Sequence, residues 1–258
     1  MPLEISVAHW CLQTPDAQVA TAYHALADAG ITAIEMPPDH LAPAAVKAGL
    51  SIHNLAAPGI REPALNDPAN HEAMLPQLRD AITHAAALHA RQLIVFSGNR
   101  LGQTDSHGAD ATAHALRQLT DRAQRHRVTL TLELLNTHDH PGYMADRTAW
   151  AVDVVERVDS PRVKLLYDVY HMHRMHQPIF DDLEQYRDLI AHVHVAGSPT
   201  RGFPGPDQQI DYARLISHLR DIGYTGRIGL EFHADPNQAV TQMAAAADLF
   251  RRFAAHES

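Results

Sequence analysis

The feature that most constrains this chain is an unbroken alternation of short apolar runs with longer helical stretches. The runs cover residues 5–7, 33–36, 50–55, 92–96, 128–135, 163–167, 192–195 and 227–232, and each is rich in β-branched, leucine or aromatic residues. Between them lie Ala-, Leu- and charge-rich segments with helical spacing at 16–29, 67–89, 110–126, 147–158, 181–190, 212–222 and 236–255, plus a stunted one near 43–48. Thr14-Pro15-Asp16, Asn66-Asp67-Pro68 and Asp181-Asp182 read as helix starts, and Gly30 and Gly223 as helix ends. A strand, a helix and another strand in strict repetition require parallel strands joined by crossovers.

Eight such units in 258 residues favour a closed (β/α)8 barrel, an α/β fold built as a single domain over residues 1–258. The alternative is an open doubly wound sheet, which usually carries a glycine-rich turn after its first strand. Here the first strand runs into Ala8-His9-Trp10-Cys11-Leu12, with no glycine. The Pro/Gly-rich stretch Gly202–Pro206 falls between a strand and a helix and reads as a long loop at the barrel mouth.

Charge and cysteine usage narrow the setting. Asp and Glu outnumber Lys and Arg by 30 to 21, for a formal charge of -9, so the phosphate backbone of a nucleic acid is repelled. The cations are scattered, as at Arg122, Arg125, Arg127, Arg251 and Arg252, and read as solvated helix faces. The lone Cys11 rules out an internal disulfide and suits a reducing compartment. Neither a leader-like stretch after Met1 nor a membrane-length apolar run is visible, so a cytoplasmic protein is expected, with no nucleic-acid and no membrane partner.

In a barrel of this kind the active site lies at the C-terminal ends of the strands. Strand parity says which side chains point inward there. In Thr129-Leu130-Thr131-Leu132-Glu133 the leucines face outward, which leaves Glu133 inside. Val163, Leu165 and Tyr167 share one face, and Asp168 projects from the other. In His192-Val193-His194-Val195 both histidines point inward with His194 nearer the mouth, and Ile228-Gly229-Leu230-Glu231 puts Glu231 inside.

Four inward polar groups at successive strand ends are a candidate metal set: Glu133, Asp168, His194 and Glu231. Three carboxylates gathered together repel one another unless a cation joins them. Three oxygen donors and one imidazole suit one divalent ion, Mn2+ or Mg2+ first, with Co2+ or Zn2+ as alternatives. The bland reading is four unrelated polar residues at strand ends. It would win for one residue and loses ground for four in register. His171 follows Asp168 by three residues, in the loop after that strand. His192 is read either as a partner to a ligand or as a core histidine. The chain holds 20 histidines, so the remainder of the tract from His171 to His176 carries little weight.

The stretches Phe96-Ser97-Gly98-Asn99-Arg100, Leu132 to Asn136, Asp146 to Trp150, Lys164 to Met172, His192 to Gly197 and Gly229 to Phe232 resemble the hydroxypyruvate isomerase branch of the xylose-isomerase-like TIM barrel superfamily. The resemblance runs over most of the chain and is densest from about residue 92 onward. It implies the same four metal ligands, with Glu133 and Glu231 also serving as the catalytic acid/base pair. His171 and Arg201 look like substrate-oxygen contacts.

Trp10, at the end of the first strand, walls the pocket or packs the barrel. Asn99 and Asn136, at strand ends, are read as supports for the residues that touch the substrate, and Asn99 also as a substrate contact. Glu35, at the end of the second strand, bonds substrate or pairs with an arginine. Two departures bear on the substrate: Ala57-Pro58-Gly59 stands where related sequences often have Gly-His, and Gln209 where an acidic residue is common.

The implied reaction is metal-dependent isomerisation of hydroxypyruvate to tartronate semialdehyde through a metal-stabilised enediolate. The competing readings on the same site are a ketose 3-epimerase and a polyol dehydratase. An abasic-site endonuclease, for which His9, His53 and Glu35 would supply extra ligands, runs against the charge. The expected partner is a small carbohydrate or hydroxy-keto acid. Barrels of this kind commonly form homo-oligomers, and the sequence leaves the number of subunits open.

Overall fold

The computed structural model describes residues 3–60 and 64–255. Of the N-terminal stretch read above, Met1 and Pro2 lie outside the described residues. Its contacts divide the chain into two compact units, Met1–His53 with His192–Ser258, and Asn54–Ala191.

In the first unit β1 (Ile5–Ala8) lies between β2 (Ala33–Glu35) and β9 (Ile228–Leu230). β2 pairs onward with β3 (Ser51–Ile52), and β9 with β8 (Ile190–Val195). Every pairing is parallel, so each chain return needs a crossover. Helices α1 (Asp16–Asp28), α2 (Ala42–Lys47), α8 (Tyr212–Asp221) and α9 (Ala239–Ala255) belong to this unit. Two registers set polar strand-end residues beside small ones: Glu35 opposite Ala8, and His194 opposite Gly229.

The second unit holds β4 (Asn54–Ala56), β5 (Gln92–Val95), β6 (Thr129–Glu133) and β7 (Val163–Asp168), paired in parallel in that order. Its helices are α3 (His71–Ala87), α4 (Asp105–His126), α5 (Thr148–Val158), α6 (Val169–Arg174) and α7 (Ile179–Gln185). Leu130 and Leu132 of β6 are fully buried, as their alternation with threonine predicts for an apolar strand face. Each contributes about 1.5–3 kcal/mol by burial. Truncating Leu132 to alanine costs about 2–5 kcal/mol once the cavity is included.

Three expectations need correction. The run at 50–55 is not one strand: β3 and β4 are separated by His53. Helix α4 begins at Asp105, five residues earlier than periodicity suggests, because the Thr104 side chain accepts from His107 N (3.3 Å) and caps it. His171 lies in no loop. The Asp168 carboxylate accepts from His171 N (3.0 Å), and this cap turns the end of β7 directly into α6.

Candidate active site

In the first unit the side chains of interest come from β8, β9 and the loops beside them. His194 is the next-to-last residue of β8, and Glu231 follows β9 by one position. Both are buried. Glu231 Oε1 accepts from Trp10 Nε1 (3.0 Å) and Oε2 from an Arg201 terminal nitrogen (2.7 Å). The same Oε2 stands 3.2 Å from His194 Nδ1. The Arg201 guanidinium also lies over the Trp10 ring, 5.2 Å from its centroid, which suits a cation–π contact. The Arg201 guanidinium beside it favours the ionised Glu231 carboxylate against the cost of its burial.

A carboxylate of the same unit holds the other edge of His194. Glu35, the last residue of β2, receives His194 Nε2 on Oε2 (2.8 Å), and His192 Nε2 and Ser6 Oγ on Oε1 (2.9 and 2.5 Å). Burial raises the Glu35 carboxyl, yet His192 and His194 overcome it and hold it well below the ordinary range. Glu35 pairs with His192, His194 and Ser6.

In the second unit Glu133 closes β6 and Asp168 closes β7, and both are buried. Asp168 Oδ1 caps α6, and Oδ2 lies 3.7 Å from His171 Nε2. His171 Nδ1 is approached by two donors of Asn136, the backbone N (3.2 Å) and Nδ2 (2.5 Å). The Asn136 amide is itself oriented, since Oδ1 accepts from Asp139 N (2.8 Å) and Nδ2 donates to Asp139 Oδ2 (2.9 Å). With two donors aimed at Nδ1, the His171 proton sits on Nε2. Tyr143 Oη donates to the Glu133 carbonyl (3.0 Å) and fixes the backbone at the strand end.

Among the residues read from the sequence, Trp10, Arg201, His194 and Glu231 meet in the first unit. Asp168 and His171 meet in the second, with Asn136 as the holder of His171. Asn99 is half-buried, pairs with Tyr143 through an isolated bridge, and accepts at its carbonyl from Asn66 Nδ2 (2.6 Å). Its described role is thus in the backbone of the loop after β5. Sequence reasoning left the task of Glu35 open. The available signal was a glutamate at a strand end in a run otherwise fully apolar.

The comparisons bear on this arrangement. The sequence profile of the xylose isomerase-like TIM barrel family matches residues 23–253. The chain belongs to that family. Its fold is therefore the TIM barrel of the family, as the strand and helix alternation requires.

Relatives within the family are similar to this chain over different lengths. A Mus musculus protein with the provisional name hydroxypyruvate isomerase is 30% identical over 235 residues, covering 81% of this chain and 82% of its own. The hydroxypyruvate isomerase of Escherichia coli (strain K12) is 28% identical over 166 residues, and the match spans 64% of each chain. Among solved structures, D-psicose 3-epimerase from Clostridium cellulolyticum H10 superposes with a TM-score of 0.82 at 18% identity, over 98% of this chain and 99% of that one. At that identity the likeness speaks for the fold. Among the described residues, no helix is long and apolar enough to cross a membrane.

Proposed function

We propose that this member of the xylose isomerase-like family is a divalent-metal-dependent isomerase acting on a small hydroxy-carbonyl compound, with hydroxypyruvate as substrate. The observation that carries the reading is the donor chemistry at the strand ends. Glu133, Asp168, His194 and Glu231 are three buried carboxylates and one buried imidazole, a set matched to Mn2+ or Mg2+, with Co2+ or Zn2+ as alternatives. Glu133 and Asp168 belong to one unit and His194 and Glu231 to the other, and each pair supplies two ligands. On this reading the two units are parts of one domain over residues 1–258. When bound, such a cation polarises a carbonyl oxygen as a Lewis acid.

The residues divide the remaining work. Hydroxypyruvate must lose a proton from its hydroxymethyl carbon and gain one at the former carbonyl carbon, while a hydroxyl proton moves between the two oxygens. Glu133 and Glu231 are the acid/base pair for the carbon-bound protons. Arg201 and Trp10 hold Glu231 from two sides, so the carboxylate keeps one direction while it works. Arg201 brings the positive charge that a keto acid's carboxylate requires. His171, with its proton on Nε2, donates to a substrate oxygen. The expected setting is the cytoplasm, where the buried free thiol of Cys11 stays reduced.

The test is elemental analysis of the purified protein joined to an assay on hydroxypyruvate, with EDTA and with Mn2+ added back. Near-stoichiometric metal and EDTA-sensitive formation of tartronate semialdehyde support the reading. Metal without turnover, but with turnover of longer ketoses, moves the protein to the 3-epimerases. No metal after Mn2+ addition removes the proposal.

A further inference from the structure

A chain of polar side chains, buried from His53 to Glu35, runs through the first unit, and its two ends have opposite and fixed hydrogen-bonding character. At one end is Arg227, just before β9, whose guanidinium can only donate. It reaches Glu4 (2.8 Å) and approaches His53 Nδ1 (3.5 Å). His53 Nε2 lies 3.2 Å from His192 Nδ1, and His192 Nε2 lies 2.9 Å from Glu35 Oε1. At the other end is Glu35, an ionised carboxylate that can only accept.

These two ends dictate where every proton between them sits. Facing a donor, His53 Nδ1 must accept, so its proton is on Nε2 and is given to His192 Nδ1. His192 then carries its own proton on Nε2 and gives it to Glu35. A neutral imidazole has one donor and one acceptor nitrogen, which is what a one-way chain requires of both rings, and burial lowers His53 to about 3. The second oxygen of Glu35 receives His194 Nε2 at 2.8 Å.

The space for this meeting is provided by Gly229, the β9 residue opposite His194. A Cβ there would fall inside contact distance of Glu35 Oε1, 2.6 Å from His194 Cδ2 and 2.9 Å from His192 Nε2. A strand residue without a side chain is needed where three polar groups converge.

We infer that Glu35 is a positioning residue that fixes His194 as the Nε2–H tautomer, so that its Nδ1 lone pair is the one turned toward Glu231, and that Ser6, His192, His53 and Arg227 hold Glu35 to this task. The inference rests on the reading of His194 as a cation ligand. A carboxylate behind an imidazole fixes the ring orientation and strengthens the opposite nitrogen as a donor to metal. Glu35, His192 and His194 also offer ligand atoms within 4.8 Å of one another, the dimension of a metal cluster. The hydrogen-bond lengths and the one-way polarity assign them instead to a proton-ordered network.

The test uses the full chain, labelled with 15N-histidine and loaded with Mg2+. The nitrogen resonances of His53, His192 and His194, assigned through their own backbones, show which ring nitrogen bears the proton. All three are expected on Nε2. In parallel, calorimetry measures Mn2+ binding to wild type and to Glu35→Gln, whose amide can accept at one atom only. The expected loss of affinity is about 10–100-fold. Ser6→Ala is expected to weaken Mn2+ several-fold less than Glu35→Gln does.

Wild-type affinity in a folded Glu35→Gln protein overturns the inference, as does His194 protonated on Nδ1 in the loaded sample. A second equivalent of Mn2+ that disappears with Glu35→Gln overturns it too, in favour of a metal cluster. If Glu35→Gln fails to fold, the wild-type spectrum and Ser6→Ala decide. A wild type that takes up no Mn2+ removes the metal reading alone, because the His194 proton, read in the same sample, still shows whether Glu35 sets the tautomer.

Discussion

The two units each place a buried histidine beside a strand-end carboxylate, but they hold it by opposite means. In the first unit the far edge of His194 leans on the Glu35 carboxylate (2.8 Å). In the second unit the far edge of His171 takes two donors from Asn136. An anion behind an imidazole claims the proton on its own side and leaves a lone pair in front. Donors behind an imidazole claim the lone pair and leave a proton in front. On the proposed reading the same side chain serves as a metal ligand in one unit and as a hydrogen-bond donor in the other. The residue behind the ring, rather than the ring, decides which.

The largest expected effect breaks the first unit's side of this comparison. Glu231→Gln keeps the shape and the Trp10 contact while removing the charge that Arg201 and His194 face. Turnover should fall by about 10²–10⁴-fold, and the melting temperature should fall as well because Arg201 loses its buried partner. Steady-state kinetics beside a thermal melt measures both, and near wild-type turnover would remove Glu231 from the chemistry.

Next in size is Gly229→Ala, which forces Glu35, His192 and His194 apart. Overpacking of this kind costs about 1–3 kcal/mol, read as a shift in the denaturant midpoint at constant slope. An unchanged midpoint would mean that the network has slack.

The neutral histidines behind Glu35 give the first unit a pH signature. His53 and His192 are lowered when folded, whereas in the unfolded chain a histidine takes up its proton near pH 6.5. Below that value the unfolded state binds more protons, so stability is full above about pH 6.5 and falls as the pH drops. The slope is about 1.4 kcal/mol per pH unit for each such histidine. Denaturation midpoints between pH 6.5 and 5 in wild type and His53→Gln should differ in slope by about one proton; equal slopes contradict the neutral chain.

The smallest effect sharpens the second unit's side. Asn136→Ala removes one of two donors to His171 Nδ1 and leaves the backbone N–H. One hydrogen bond is worth about 1 kcal/mol, so kcat/KM should drop by about fivefold, with Mn2+ affinity kept. A loss of metal rather than of kcat/KM would place His171 among the ligands instead.

How much of this is legible in the sequence depends on whether a feature is set along one strand or between strands. The alternation of Leu130 and Leu132 with Thr129 and Thr131 is a property of one strand, and it places Glu133 at the end of β6. The same holds for Asp168 at the end of β7. The partners of Glu35 are set by the registers of β2, β1, β9 and β8, which no single run contains. Helix α6 escapes the sequence pattern because Val169-Tyr170 reads as strand or loop, and only the Asp168 cap reveals the turn. The interruption at His53 escapes it because Leu50, Ile52 and Leu55 are spaced closely enough to read as one strand, while pairing divides the run between β2 and β5.

The most direct test of the account asks whether the ligands of the two units serve one cation. Metal-stripped wild type, Asp168→Asn and His194→Gln are each titrated calorimetrically with Mn2+. The account predicts one site per chain in wild type and loss of that site in both variants, one from each unit. Tight Mn2+ binding that survives in either variant would contradict it, because one unit would then hold the metal without the other.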